Sequence, residues 1–219
     1  MQPLRLPVRN CKVIGPGDDV HTHHTVQCPR REHATAFERC CGCSHMKSID
    51  VDAEGKHGSV ECGGADEART GRGRVDVAEA AVRVRLGDIL GLETTCVRSE
   101  VRVQAVTDLL VAQRLRAVPV VDASRRLVGI VSKTDLLRRK ANGRRPQTVA
   151  DIMTPIVHGL PEEAPVAYAI SLMAFEGLHE VPIVDAKGQV LGMITSTDAL
   201  RWVAHALGYV VPGKVDVAR

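Results

Sequence analysis

Apolar and polar positions follow two periods along the second half of the chain, and the whole pattern occurs twice. QAVTDLLVAQRL (104–115) and AYAISLMAFEGL (167–178) carry apolar residues at about every third or fourth position, which predicts two amphipathic helices. AVPVVD with LVGIVS, and EVPIVD with VLGMIT, are short runs rich in β-branched residues, which predicts two strands in each copy. Asp-Ala-Ser-Arg-Arg and Asp-Ala-Lys-Gly-Gln separate those runs and read as hairpin turns. A further helix is expected to begin at TDLLRRK and at TDALRWVAHAL, with Thr or Asp as its cap. A short extended segment near TTCVR or PIVHGL precedes each set, so the unit reads helix, strand, strand, helix.

The two copies stand in register at an offset of 63 residues without a gap. Asp88-Ile89 recurs as Asp151-Ile152, Val118-Pro119 as Val181-Pro182, Val121-Asp122-Ala123 as Val184-Asp185-Ala186, Gly129 as Gly192, and Thr134-Asp135 as Thr197-Asp198. A repeat that holds turn, strand and helix-entry residues together marks duplication of one supersecondary unit. The expected fold class is α/β (α+β), with two tandem units in pseudo-two-fold arrangement.

The first 64 residues read differently. Six of the seven cysteines and six of the nine histidines precede Gly63. Between Val20 and Gly64 the large apolar residues are Val20, Val26, Phe37, Met46, Ile49, Val51 and Val60, too few to predict a normal core. Cys40-x-x-Cys43 is one pair, with Cys28 eleven intervening residues earlier and Cys62 eighteen later. A Cys-x-x-Cys turn curls its backbone around one ion, and four thiolates complete a tetrahedron. Zinc at Cys28, Cys40, Cys43 and Cys62 is therefore expected, supplying ~10–16 kcal/mol of apparent binding energy to an apolar-poor segment. Cys41, His45, His57 and the histidines of the HTHH run, His21, His23 and His24, are surplus or substitute ligands. An iron–sulfur cluster and a redox pair at Cys40 and Cys43 are the competing readings. Cys11 lies outside the cluster, and Cys96 reads as a small buried residue of the first repeat. Residues 65–85 read as a linker, with VDVAEAAVR as a short helical lead-in.

Composition narrows the class. The chain has 219 residues, 44% of them hydrophobic and 25% charged, which argues against wholesale disorder and for one or two folded domains. Its apolar runs fall far short of the ~20 residues of a spanning helix, and the N-terminus lacks a secretory apolar stretch, so a cytoplasmic protein with reduced thiols is expected. A net charge of +3 and five aromatic residues give no stacking platform for single strands. Lys and Arg outnumber Asp and Glu by 12 to 6 in residues 86–147 but are outnumbered 4 to 8 in residues 148–219. RRKANGRR (138–145) joins the two units as a solvated helix end and linker, or alternatively as a contact for a polyanion.

Residues 86–140 and 148–205 resemble two tandem CBS domains, together a Bateman module. DIL and DIM at the unit starts, the VPVVD and VPIVD strands, and GIVSKTDLL and GMITSTDAL carry the resemblance. It implies two clefts between the paired sheets that hold adenosyl nucleotides: AMP, ADP, ATP or S-adenosylmethionine. By the family's pattern Asp135 and Asp198 match the ribose-binding aspartates, and Ser132 and Thr195 the upstream hydroxyls that contact phosphate. Thr134 and Thr197 sit beside them. The backbone of Val118 and Val181, with the segments around Thr95 and Val157, would border the adenine. Arg116, Lys133 and His179 are assigned to phosphate from position and charge alone. Independently of the family, a hydroxyl and a carboxylate at a helix entrance suit phosphate and a cis-diol, while the same residues also serve as plain helix caps. Arg125-Arg126 in the first turn is bulky for a nucleotide site.

No nucleophile, base and orienting acid form a recognisable motif, and neither a P-loop nor a dinucleotide fingerprint is present, so the reading is not an enzyme. The leading expectation is a regulatory CBS pair that senses an adenosyl ligand, dimerises through apolar helix faces such as LLVAQRL and ISLMAFEGL, and signals to a protein partner not named by the sequence. The alternative is a zinc-containing interaction or nucleic-acid-binding protein in which the pair only dimerises. A metal-handling protein is a third.

Overall fold

The computed structural model describes residues 4–31, 33–51, 58–63, 76–141, 147–155 and 159–207. The N-terminal part is rich in strands: β1 (Leu4–Ile14), β2 (Val20–Cys28), β3 (His33–Ala36), the one-turn helix α1 (Phe37–Cys41), β4 (Met46–Val51) and β5 (Gly58–Cys62). Two short helices, α2 (Val77–Arg83) and α3 (Leu86–Ile89), lead into the first repeat of β6 (Glu93–Arg98), α4 (Val103–Ala112), β7 (Ala117–Val121), β8 (Leu127–Ser132) and α5 (Lys133–Ala141). A 3₁₀ turn at Val149–Asp151 and β9 (Thr154–Pro155) lead into the second, of β10 (Leu160–Pro161), α6 (Val166–Glu176), β11 (Glu180–Val184), β12 (Val190–Thr195) and α7 (Ser196–Ala206). The 63-residue offset holds: β7 starts at Ala117 and β11 at Glu180, β8 at Leu127 and β12 at Val190, α5 at Lys133 and α7 at Ser196.

Each repeat buries one face of its sheet under its own helices. Val97, Val106, Leu110, Val118, Val120 and Val131 form the first core, and Val166, Ala169, Met173, Val181, Ile183, Ile194 and Trp202 the second. The segment that leads into each repeat is packed in the other one. Leu86, Ile89 and Leu90 belong to the second core, whereas Val149 lies in the first with Ile152 and Met153 against it. Backbone bonds repeat the exchange: Leu86 N–H donates to Ala164 O and Gly87 N–H to Glu162 O, as Val149 N–H donates to Val101 O and Ala150 N–H to Ser99 O, all at 2.9 Å.

Two glycines mark where the lead-ins seat. A Cβ at Gly192 would lie 2.5 Å from Leu90, and one at Gly129 would lie 2.9 Å from Met153 Sδ and from Thr154 O. Their recurrence in the sequence is thus a demand for close approach. The hairpin turns close the joint from the far end. Asp122 Oδ1 accepts from Ser124 N and Arg126 N, and Asp185 Oδ1 from Lys187 N and Gln189 N. Across the pair, Leu127 N–H donates to Gly188 O, and Val190 N–H to Arg125 O. Arg125 takes the left-handed conformation (φ 64°) that Gly188 takes in the second turn, and its guanidinium donates to Gln189 Oε1 at 2.9 Å. Arg125-Arg126, read from the sequence as bulky for a nucleotide site, lies in the joint between the two turns: Arg125 ties one turn to the other, and Arg126 bridges to Gln189.

The N-terminal segment also departs from expectation. It builds a small core of Leu6, Val8, Val26, Val60 and Cys62, with Leu4, Phe37, Cys40 and Met46 packed against it. A census from Val20 to Gly64 missed this because β1 supplies the alternating apolar residues, and short strands close on few of them. β1 pairs in parallel with β6, from Asn10 opposite Glu93 to Ile14 opposite Val97, so these strands extend the first repeat's sheet. The order there is β3-β2-β1-β6-β7-β8-β9, while the second repeat keeps β10-β11-β12. The expected helical lead-in is α2, capped by Asp76, which accepts from Ala78 N at 2.9 Å.

Candidate functional site

Each repeat ends its second strand in a helix whose entrance is locked by a reciprocal cap. Ser132 N–H and Oγ–H donate to Asp135 Oδ2 at 2.8 and 2.6 Å, and Asp135 N–H returns a bond to Ser132 Oγ at 3.3 Å. Thr195 and Asp198 repeat this at 2.9, 2.6 and 3.1 Å. These are capping boxes with a carboxylate three residues inside the helix. The helices therefore begin at Lys133 and Ser196, and the expectation of a Thr or Asp cap at TDLL and TDAL is corrected to Ser132 and Thr195. Those two hydroxyls, expected to meet phosphate, are committed to the cap, while Thr134 and Thr197 are exposed on the first turn.

The strand starts bring the remaining residues to the same place. Lys133 N–H donates to Arg116 O at 2.9 Å, and Ser196 N–H to His179 O at 2.8 Å, so Arg116, Ser132, Lys133, Thr134 and Asp135 form one group and His179, Thr195, Thr197 and Asp198 the other. Among the described residues, Asp135 Oδ1 has no protein partner, whereas Asp198 Oδ1 lies 3.5 Å from Arg201. Val118 and Val181 are buried in the two helix-side cores and offer only backbone. Thr95 donates its hydroxyl to Gln113 Oε1 at 3.2 Å, an engagement with the end of α4 not foreseen from the sequence. Val157 lies outside the described residues.

Glu180 was missed. It pairs with Thr195 across β11 and β12, as Ala117 pairs with Ser132 across β7 and β8. Directly opposed residues share a sheet face, so Glu180 stands on the face of Thr195 and Asp198. Burial pushes its carboxyl above the ordinary range, against the pull of Arg116 and then His179. The 63-residue register contains the signal, because it sets an alanine against a glutamate.

A family model of the CBS domain matches residues 86–142 and 149–205. The chain belongs to the CBS-domain family. Its CBS pair is 29% identical over 114 residues to L-aspartate semialdehyde sulfurtransferase of Methanocaldococcus jannaschii, covering 52% of this chain and 22% of that protein. It is 31% identical to inosine-5′-monophosphate dehydrogenase of Nitrosopumilus maritimus, covering 52% of this chain and 23% of that one. The chain thus spans less than a quarter of these curated relatives. Among solved structures, it is similar to the CBS domain pair of protein MJ0100 in complex with 5′-methylthioadenosine and S-adenosyl-L-methionine: TM-score 0.52, 27% identity, 56% of this chain and 97% of that one. It is similar also to CBSX2 in complex with AMP: TM-score 0.52, 26% identity, 55% of this chain and 96% of that one. No helix among the described residues is long and apolar enough to cross a membrane.

The cysteines of the N-terminal segment converge on Cys40. Cys28 follows Val26 by two residues on β2 and Cys62 follows Val60 by two on β5, so both stand on the face of the N-terminal core, beside α1 with Cys40 and Cys41. Cys43 N–H donates to Cys40 O at 3.0 Å, the turn expected of Cys-x-x-Cys. Burial, then the neighbouring Cys43, Cys62, Cys28 and Cys41, raise the Cys40 thiol above its usual range. Among the described residues, however, no three or more His, Cys, Asp and Glu side chains are arranged to hold a metal ion. The expected zinc staple at Cys28, Cys40, Cys43 and Cys62 is thus not shown among the described residues; a sheet and its apolar core run through the segment.

Proposed function

We propose that the chain is a cytoplasmic regulatory module, not a catalyst, whose CBS pair binds an adenosyl nucleotide and passes its state to a partner protein. The observation that carries this is Asp135: a carboxylate fixed at a helix entrance by one oxygen, its other oxygen free of protein partners among the described residues, with Thr134, Lys133 and Arg116 around it. One fixed carboxylate accepts from a ribose diol, and the helix N-terminus and two cations favour phosphate. Neighbouring structures that hold AMP, S-adenosylmethionine or 5′-methylthioadenosine support the ligand class. The reading includes a homodimer, supported by exposed apolar side chains on the helical faces, Val111 on α4, Leu137 on α5 and Leu200 on α7, with Phe175 on α6 at 88% exposure.

Calorimetric titration with AMP, ADP, ATP and S-adenosylmethionine tests it. Asp135→Ala should weaken the bound nucleotide roughly ten- to a hundredfold, the loss of charge-assisted hydrogen bonds. Saturable binding unchanged by both Asp135→Ala and Asp198→Ala would remove the site, and a concentration-independent monomer in sedimentation would remove the dimer.

A further inference from the structure

The two helix entrances share a backbone but not a charge. At the first, Asp135 is accompanied by Arg116 and Lys133, and the position opposite Ser132 is Ala117. At the second, Asp198 is accompanied by His179 and Arg201, and the position opposite Thr195 is Glu180. Counted by each repeat's own residues, the first has one carboxylate and two permanent cations and the second two carboxylates, one arginine and a histidine, with Arg116 of the first repeat also reaching Glu180.

The face on which Glu180 stands decides whether that difference reaches a ligand. Val181 and Ile183 point into the helix-side core of the second repeat. Val184, on the alternate face, packs against the cluster of Cys11, Val13, Cys96, Val121 and Val190 between the two repeats. Residues two and four apart on a strand share a face, so Glu180 is turned with Pro182 and Val184 toward the other repeat. Its half-buried position, within electrostatic reach of Arg116 of the first repeat, agrees with that placement.

We propose that the second cleft selects adenosyl ligands without net negative charge, a thioether or sulfonium nucleoside, and that Glu180 is the residue that turns phosphorylated nucleotides away from it. This rests on the nucleotide reading of the pair. Rejection by like charge in a partly desolvated place is strong, whereas a neutral nucleoside meets no such penalty. The first cleft, with alanine at the equivalent position and Lys133 and Arg116 beside it, is left for phosphorylated ligands.

The test is calorimetry on the full chain with three probes: AMP as the anion, 5′-methylthioadenosine as the neutral nucleoside, and S-adenosylmethionine as the cation. Asp135→Ala silences the first cleft. In that background 5′-methylthioadenosine and S-adenosylmethionine should bind at least about tenfold more tightly than AMP. Adding Glu180→Ala or Glu180→Gln should raise AMP affinity about tenfold and leave 5′-methylthioadenosine within about twofold, with unchanged thermal unfolding as the folding control. Conversely, Ala117→Glu should weaken AMP in an otherwise unaltered chain. An AMP to 5′-methylthioadenosine ratio that neither Glu180 variant moves overturns the selector. Binding abolished for all three probes by Asp135→Ala alone overturns it too, but leaves the nucleotide reading standing at the first cleft. No binding to the unaltered chain removes both.

Discussion

Gly129 and Gly192 are small because each receives a side chain from the other repeat's lead-in. At Gly192 the neighbour is Leu90, whose three outer carbons all lie within 2.8 Å of where a Cβ would stand. Gly192→Ala is therefore expected to destabilise the fold by about 1–3 kcal/mol, the usual range for an overpacked core. Adding Leu90→Ala should recover part of that loss, so a double-mutant cycle by urea unfolding should show coupling between the two sites. Gly129→Ala has no such relief, since Thr154 contributes backbone to the clash. At this scale the repeat was readable and its reason was not. Equal spacing showed that residues 129 and 192 are equivalent, but only the exchanged packing shows what a side chain there would strike. Glu180 is the opposite case, a residue visible in the register whose meaning depends on which sheet face it occupies.

The helices and paired strands of the two repeats were legible as elements because their apolar spacing is local. α4 and α6, β7 with β8, and β11 with β12 lie where periodicity places them. β1 was not legible as a partner of β6, because pairing between strands some eighty residues apart leaves no local mark. Counted without β1, the N-terminal segment was expected to need metal for its core. Val26 and Val60 are fully buried there. Val26→Ala should cost about 2 kcal/mol by removing buried apolar volume. Cys43→Ser, at an exposed position, should leave the segment folded, and so should dialysis against a chelator. Amide exchange of β1, β2 and β5 before and after either treatment checks this: loss of protection there, with bound zinc released, would return the metal to a structural role.

In the whole molecule, the N-terminal sheet is seated on the second repeat through polar groups as well as apolar ones. Arg9 is buried, with its guanidinium donating to Gly87 O and to Gln27 Oε1, while the buried Glu162 accepts from Ala34 N–H at 2.7 Å. Burial is the leading cause that raises the Glu162 carboxyl above its ordinary 4.5, helped by Glu163 and opposed by the Ala34 N–H, His33 and Arg9. A carboxyl raised on folding favours the protonated form. Its contribution to stability is therefore full below pH 4.5 and lost as pH rises through the folded-state value. Glu162→Gln keeps an oxygen for Ala34 and has no proton to lose, so its stability should fall less than that of the unaltered chain between pH 5 and pH 7 in urea unfolding.

The crossing of lead-ins means that neither half owns all of its core. A fragment ending after α5 carries Leu86, Ile89 and Leu90 with no host, and one beginning at the Val149 turn lacks them. Expressed as two chains, the halves should be poorly soluble alone and reassemble by complementation when mixed, and a half kept by itself should trade lead-ins with a second copy. Duplication in this protein has produced two repeats that each complete the other's core.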